Sequence, residues 1–149
     1  MYFMRGDVRK LPFYDNTFDI VTSTEVIEHF IEGEEFIKEC YRVLKRHGYL
    51  LLTTPNRFRI TALPRNMMYW LRRKKIVPGP NPEHLREYTP KDLCKLVKRE
   101  GFNVIKLDFI AFNPYLPIPP TIYQKLDFIT DRLLKSLTKW DLILVAKKV

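Results

Sequence analysis

The sequence predicts an α/β protein with a mostly parallel sheet, and three observations carry that reading. Phe18 to Ser23 is a short apolar and β-branched run of the kind that forms a buried strand. Tyr49 to Thr54 is a second such run, stopped by Pro55-Asn56. Between them lies one helical pattern, and strand, helix and strand in that order make a βαβ unit whose sheet is covered on both faces.

The remaining elements follow in chain order. Tyr2 to Arg5 reads as a short strand ending at Gly6-Asp7, and Leu11-Pro12-Phe13 leads through the turn signal Asp15-Asn16 into Phe18. In the first helix Phe36, Ile37, Cys40, Val43 and Leu44 share one face. Glu32, Glu34 and Glu35 stand at its front, Lys45 and Arg46 at its back and Gly48 just beyond, so charge opposes the helix dipole at both ends. Thr89-Pro90-Lys91-Asp92 is a helix start, with threonine as N-cap, proline at the first helical position and an acid three residues after the cap. Leu93, Leu96 and Val97 face inward until Gly101. Phe102 to Ile110 and Trp140 to Val145 read as the last strands. Residues 111–138 between them hold a proline cluster (Pro114, Pro117, Pro119, Pro120) and an amphipathic helix.

Composition narrows the function classes. With 149 residues, 46% of them hydrophobic, the chain suits a single domain over residues 1–149 with a real core. No apolar run reaches the roughly 18 to 20 residues of a membrane span, and Met1 to Asp7 lacks the regions of a signal peptide, so a cytoplasmic location is expected. Cys40 and Cys94 occupy apolar positions of separate helices and read as core thiols rather than a disulfide or zinc pair. The five glycines (Gly6, Gly33, Gly48, Gly79, Gly101) include no G-x-G, which excludes a glycine-rich phosphate or dinucleotide loop.

The net charge of +9 is unevenly placed. Residues 1–41 hold nine acids against four bases, whereas Arg57 to Pro82 holds seven bases and no acid. That second stretch suits an anionic membrane surface or a nucleic acid, or is simply a solvated face.

Five runs stand in order along the chain: Gly6-Asp7-Val8 through Phe18-Asp19-Ile20-Val21, Glu25-Val26-Ile27-Glu28-His29, Glu39 to Gly48, Thr53-Thr54-Pro55-Asn56-Arg57, and His84 to Leu93 followed by Gly101-Phe102. Together they resemble class I S-adenosylmethionine-dependent methyltransferases, and among them the ubiquinone-biosynthesis O-methyltransferases and related glycan or lipid enzymes. The resemblance covers nearly the whole chain and implies strands 3 to 7 of a seven-stranded Rossmann-like sheet of order 3-2-1-4-5-7-6, its last strand antiparallel. It implies S-adenosylmethionine as methyl donor. Asp7 would accept from the adenine amino group and the Val8 amide would meet a ring nitrogen; read without the resemblance, Asp7 is a turn residue. Thr24 and Glu25 follow the strand ending at Ser23, at the carboxyl edge where open α/β sheets bind ligands.

The family's first strand with its glycine-rich turn, and the second with its ribose-binding acid, have no counterpart here. The chain is therefore expected to be an incomplete enzyme that binds the cofactor weakly by itself, either cut from a longer protein or completed by another chain, with a non-catalytic module as the alternative. The strand at Phe18 to Ser23 is expected to lie at an open edge that pairs with a second copy or with another chain completing the sheet.

Glu25, Glu28 and His29 stand at i, i+3 and i+4, which on a helix projects them from one face. Two carboxylates and an imidazole suit Mg²⁺, Mn²⁺ or Zn²⁺. With His84, the set resembles the metal site of small-RNA 3′-end 2′-O-methyltransferases and the catechol-directed ubiquinone enzymes. The alternative is a metal-free site in which Glu25 contacts cofactor, Glu28 caps a helix and His29 is a general base or a packing residue. Residues 57–82 form a basic, aromatic-rich insertion carrying Met67, Tyr69, Trp70 and Leu71 among Arg65, Arg72, Arg73, Lys74 and Lys75. In the ubiquinone-type family this position is an insertion over the acceptor pocket, so the resemblance implies a lid for a lipid-linked or hydrophobic acceptor. The same composition suits a membrane interface, single-stranded RNA or core packing.

Overall fold

A computed structural model of the chain describes residues 2–58, 83–110 and 140–149, together with Met67 and Leu71. Its elements are β1 (Phe18–Thr24), a 3-10 turn (Ile27–His29), α1 (Glu34–Val43), β2 (Leu44–Pro55), α2 (Pro90–Arg99), β3 (Phe102–Ile110) and β4 (Asp141–Lys148). The proline-rich loop and helix expected over residues 111–138, and nearly all of the basic insertion over residues 57–82, lie outside the described residues.

The strands form one sheet in the order β1-β2-β4-β3. β1 and β2 are parallel, and β4 runs antiparallel between β2 and β3. Three strands thus share one direction and the last opposes them, which is the 4-5-7-6 part of the expected order. Leu50 and Leu52 of β2 alternate with Leu142, Leu144 and Ala146 of β4 to make one buried face. α1 and α2 lie side by side on it through Ile37, Cys40, Leu93 and Val97, with Tyr41 edge-on to Phe102 at 5.0 Å. Both cysteines are free, and burial pushes the Cys40 thiol up to about 12, as befits a core residue. Tyr49, Leu51, Ile143 and Val145 point to the opposite face and stay partly exposed, so the described residues cover one face of the sheet rather than the expected two.

Two expectations need correction. Tyr2 to Arg5 is not a strand; Tyr2 and Phe3 are fully or almost fully exposed, and among the described residues no neighbouring strand receives their backbone hydrogen bonds. Lys45 and Arg46 belong to β2, not to the back of α1. The helix stops at Val43 because its last carbonyls are taken from the side: Asn16 N–H donates to Arg42 O (3.0 Å) and Thr17 N–H to Val43 O (2.8 Å). Leu44 then pairs with Phe18, and Lys45 forms an ion pair with Asp19 across the strands instead of facing the helix dipole.

Lys148 completes that junction. Its buried Nζ donates to Tyr41 O (2.8 Å), Leu44 O (2.8 Å) and Asn16 Oδ1 (3.0 Å) and sits 4.5 Å from the centre of the Tyr41 ring. The helix ends in a strand with no loop between, and the ammonium at the end of β4 satisfies the carbonyls left over. Hydrogen bonds to a charged group are worth ~1.5–3 kcal/mol. Lys148→Met should therefore lower unfolding free energy by about 2–3 kcal/mol in a urea titration, whereas Lys147→Met should change it by about 0.5 kcal/mol or less.

Candidate functional site

The site is built where β1 and β2 end together. Thr24 pairs with Thr53, and Glu25 N–H donates to Thr53 O at 3.2 Å as the last rung. Glu25 then adopts φ 52, a left-handed conformation that costs a non-glycine residue roughly 1–2 kcal/mol. This reversal breaks the strand direction and throws the chain into the 3-10 turn, so Glu25, Glu28 and His29 do not share an α-helix.

What brings the donors together is a second segment. Glu83 to Thr89 runs beside the turn as a strap: Arg86 N–H donates to Glu28 O (3.1 Å), and Arg57 N–H donates to Tyr88 O (3.0 Å) next to the Asn56–Tyr88 bridge. Thr89 then caps α2 as expected, accepting from Asp92 N–H at 3.1 Å. The strap carries His84 to His29, with the two rings edge to face at 5.2 Å. One side-chain donor atom each from Glu28, His29 and His84 lies within 4.8 Å of the others.

Each of the three offers an uncommitted atom. His29 Nδ1 is 3.0 Å from Glu83 O; a carbonyl only accepts, so Nδ1 carries hydrogen and Nε2 keeps the lone pair in the neutral ring. Glu28 is completely buried; its Oε2 accepts from Thr54 Oγ1 (2.9 Å), while Oε1 has no partner among the described residues. His84 Nδ1 is likewise buried and unpartnered among the described residues. Buried polar atoms left without partners are costly and mark places where something else binds.

Glu25 stands one step behind the set. Its Oε1 accepts from Thr53 Oγ1 (3.2 Å), and its carboxyl lies close enough to Glu28 to feel its charge. Burial first, then the charges of Glu28 and Asp141, push Glu25 up to about 8. Thr24, its neighbour, is exposed at the same edge.

Asp7 lies in the turn preceding this region, where Lys10 N–H donates to Asp7 O (2.9 Å). Both its carboxylate oxygens already accept from Arg9, at 2.8–3.3 Å from the side chain and 2.9 Å from the backbone, and that hydrogen bonding holds Asp7 down at about 2. The pair is solvent-facing. Arg9 lies 5.6 Å from the centre of the Phe30 ring, which links the Asp7 turn to the turn bearing His29, while Val8 packs against the core. Asp7, Arg9 and Lys10 face Glu35, Lys38 and Glu39 of α1 across an open polar depression of about 540 Å³.

Thr53, Thr54, Asn56 and Arg86 had no assigned role in the sequence reading. The one signal for them is the change from Leu50-Leu51-Leu52 to two threonines within a strand, which marks where the sheet leaves the core for a polar edge.

Comparison with known proteins agrees with this architecture. A family model described as a methyltransferase domain matches residues 1–52. A probable S-adenosylmethionine-dependent methyltransferase of Mycolicibacterium smegmatis is 36% identical over 99 residues, which are 66% of this chain and 34% of that protein. The mitochondrial ubiquinone biosynthesis O-methyltransferase of Bos taurus is 32% identical over 100 residues, 66% of this chain and 26% of that one. The chain thus spans about a quarter to a third of these relatives' length. Among solved structures, an S-adenosylmethionine-dependent methyltransferase from Archaeoglobus fulgidus shares the fold with a TM-score of 0.64 at 18% identity, covering 97% of this chain and 66% of that one. Sheet order, the motif series along the chain and these relatives agree, and the chain belongs to the class I S-adenosylmethionine-dependent methyltransferase family.

Proposed function

We propose that the chain forms the acceptor side of a methyltransferase that moves the methyl group of S-adenosylmethionine to an oxygen of a small lipid-linked, quinone-like or glycan acceptor. The convergence of Glu28, His29 and His84 at the carboxyl edge of β1 carries this reading. His29 Nε2 is placed to take the hydroxyl proton. The acceptor oxygen then attacks the methyl carbon in line as the carbon–sulfur bond breaks, and S-adenosylhomocysteine departs. Glu28 is buried beside His29, with a side-chain oxygen in the same cluster. Asp7 and the Val8 amide are assigned to adenine, and Thr24 and Glu25 to the cofactor's inner side. No G-x-G exists for the methionine end, so tight cofactor binding needs residues beyond this chain.

The same three residues fit a divalent cation, each supplying a donor atom, and Glu28 and His84 each carry a buried atom with no partner among the described residues. Two imidazoles and one carboxylate suit Zn²⁺ or Mn²⁺ better than Mg²⁺, which prefers oxygen. Such an ion would lower the acceptor hydroxyl's pKa. A metal on His29 Nε2 and a free base at that nitrogen exclude each other. Isothermal titration of the chain with Zn²⁺ or Mn²⁺ decides between them: one ion per chain is expected, with affinity falling at least tenfold in Glu28→Gln and His84→Ala. Absence of binding returns His29 to the role of free base.

The acceptor's apolar body is inferred from what surrounds the donors. Ile31, Phe58 and Leu85 are apolar and 52%, 42% and 41% exposed, although they flank His29, Asn56 and His84. Met67 and Leu71, helical and one turn apart within the basic insertion, are also exposed, as a lid or an anionic membrane contact requires. No helix among the described residues is long and apolar enough to cross a membrane. A methylated RNA end is the second reading, favoured by the charge of +9 and the E-x-x-E-H pattern. In the completed assembly, label from S-adenosylmethionine should pass to a prenylated catechol and not to an RNA 3′ end, and His29→Ala should slow transfer roughly 10²–10⁴-fold. Transfer to RNA alone, with the steep salt dependence of phosphate contacts, would reverse the choice of acceptor.

The outer edge of β1 has no strand beside it among the described residues, and Ile20 on it is 61% exposed. A second copy or a sheet-completing chain is the proposed partner. The purified chain should self-associate in sedimentation experiments and bind S-adenosylmethionine weakly. A monomer with micromolar cofactor affinity would contradict this.

A further inference from the structure

Alternate residues of the Glu83–Thr89 strap act as rungs against the turn that carries the donors. His84 meets the His29 ring, and Arg86 reaches Ile31 O with Nη1 at 3.1 Å while its own N–H holds Glu28 O at 3.1 Å. Tyr88, fully buried, fills the space at Gly33, where a Cβ would lie 2.7 Å from the tyrosine oxygen. His84, Arg86 and Tyr88 are spaced two residues apart, and all three touch the segment from Glu28 to Gly33. Arg86 is the middle rung and the only one of the three to grip carbonyls on both sides of His29. Its guanidinium also lies 4.7 Å from the centre of the Tyr88 ring, which fixes the plane from which Nη1 donates.

We propose that Arg86 is a positioning residue that holds His84 against Glu28 and His29 by clamping the strap to the Glu28–Ile31 turn. Without the guanidinium the strap keeps its backbone tethers, at Glu83 O to His29 Nδ1, at Arg86 N–H to Glu28 O, and at Tyr88 and Thr89 through Arg57 N–H and the α2 cap, so the fold survives. The His84 ring between the first two tethers has no partner at Nδ1 among the described residues, so loosening the strap there frees the ring to turn from His29. A lysine at position 86 can donate to Ile31 O but lacks the planar group that stacks on Tyr88, and it should restore the geometry only in part.

This inference rests on the reading of the edge as the reacting site for its purpose, but its test does not. In labelled chain, the nuclear Overhauser contact between the His29 and His84 ring protons should be present in the wild type, lost in Arg86→Ala and partly restored in Arg86→Lys. Amide shifts of β2 and β4 should stay unchanged. Affinity for Zn²⁺ alone should fall at least tenfold in Arg86→Ala. If that variant does not fold, Arg86→Met keeps the aliphatic stem over Tyr88 and gives the same comparison. A ring contact that persists without the guanidinium overturns the assignment. Wild type that binds no Zn²⁺ removes the metal from the site while the ring contact still decides what Arg86 does.

Discussion

Everything at the candidate site hangs on the parallel pairing of β1 with β2. Parallel neighbours joined through a helix must start at one edge of the sheet and finish at the other, so the residues following both strands emerge side by side. Here the final rung is Glu25 N–H to Thr53 O, and directly beyond it one chain turns into the Glu28–His29 segment while the other passes through Thr54 to Asn56. Thr54 of one strand can therefore support Glu28 of the other. The pairing is itself anchored at the opposite end, where Leu44 meets Phe18 and Lys148 binds the carbonyls at the close of α1.

The energetics of the edge differ from those of the core beneath it. Leu50, Leu52, Leu142 and Leu144 are sequestered from water and stabilise the fold by ~1.5–3 kcal/mol each. Glu28 is just as buried but has one hydroxyl donor, an unpaired oxygen among the described residues and a second carboxyl group against it. Burial without a full set of partners costs stability at Glu28, and the same holds for His84 Nδ1 among the described residues. Asp7 is the contrasting case: it is exposed, and its carboxylate is already matched to Arg9, so any cofactor contact there must compete with an existing pair.

Much of this was legible in the sequence, and for definite reasons. The two apolar runs, the Thr89 cap and the strand Phe102–Ile110 follow local rules that the fold does not overrule. The end of α1 was not legible, because Asn16, Thr17 and Lys148 reach its carbonyls from distant parts of the chain. Glu28, His29 and His84 were named from spacing and resemblance, yet spacing suggested the wrong route. A left-handed Glu25 and a 3-10 turn replace the helix, and a strap 54 residues further on closes the set. Arg86 left no trace of its own, since an arginine in a charged stretch looks like surface until its carbonyl partners are known.

The central claim is that Glu28, His29 and His84 form one site at the carboxyl edge of β1, apart from the Asp7 turn. Paramagnetic broadening by substoichiometric Mn²⁺ in the proton–nitrogen spectrum of the chain tests it most directly. The account predicts loss of signals from Glu28 to Phe30, Thr54 and His84 to Leu85, with those of Asp7 to Lys10 retained. Broadening centred on Asp7 and the front of α1, or spread evenly over the acidic surface, would contradict it.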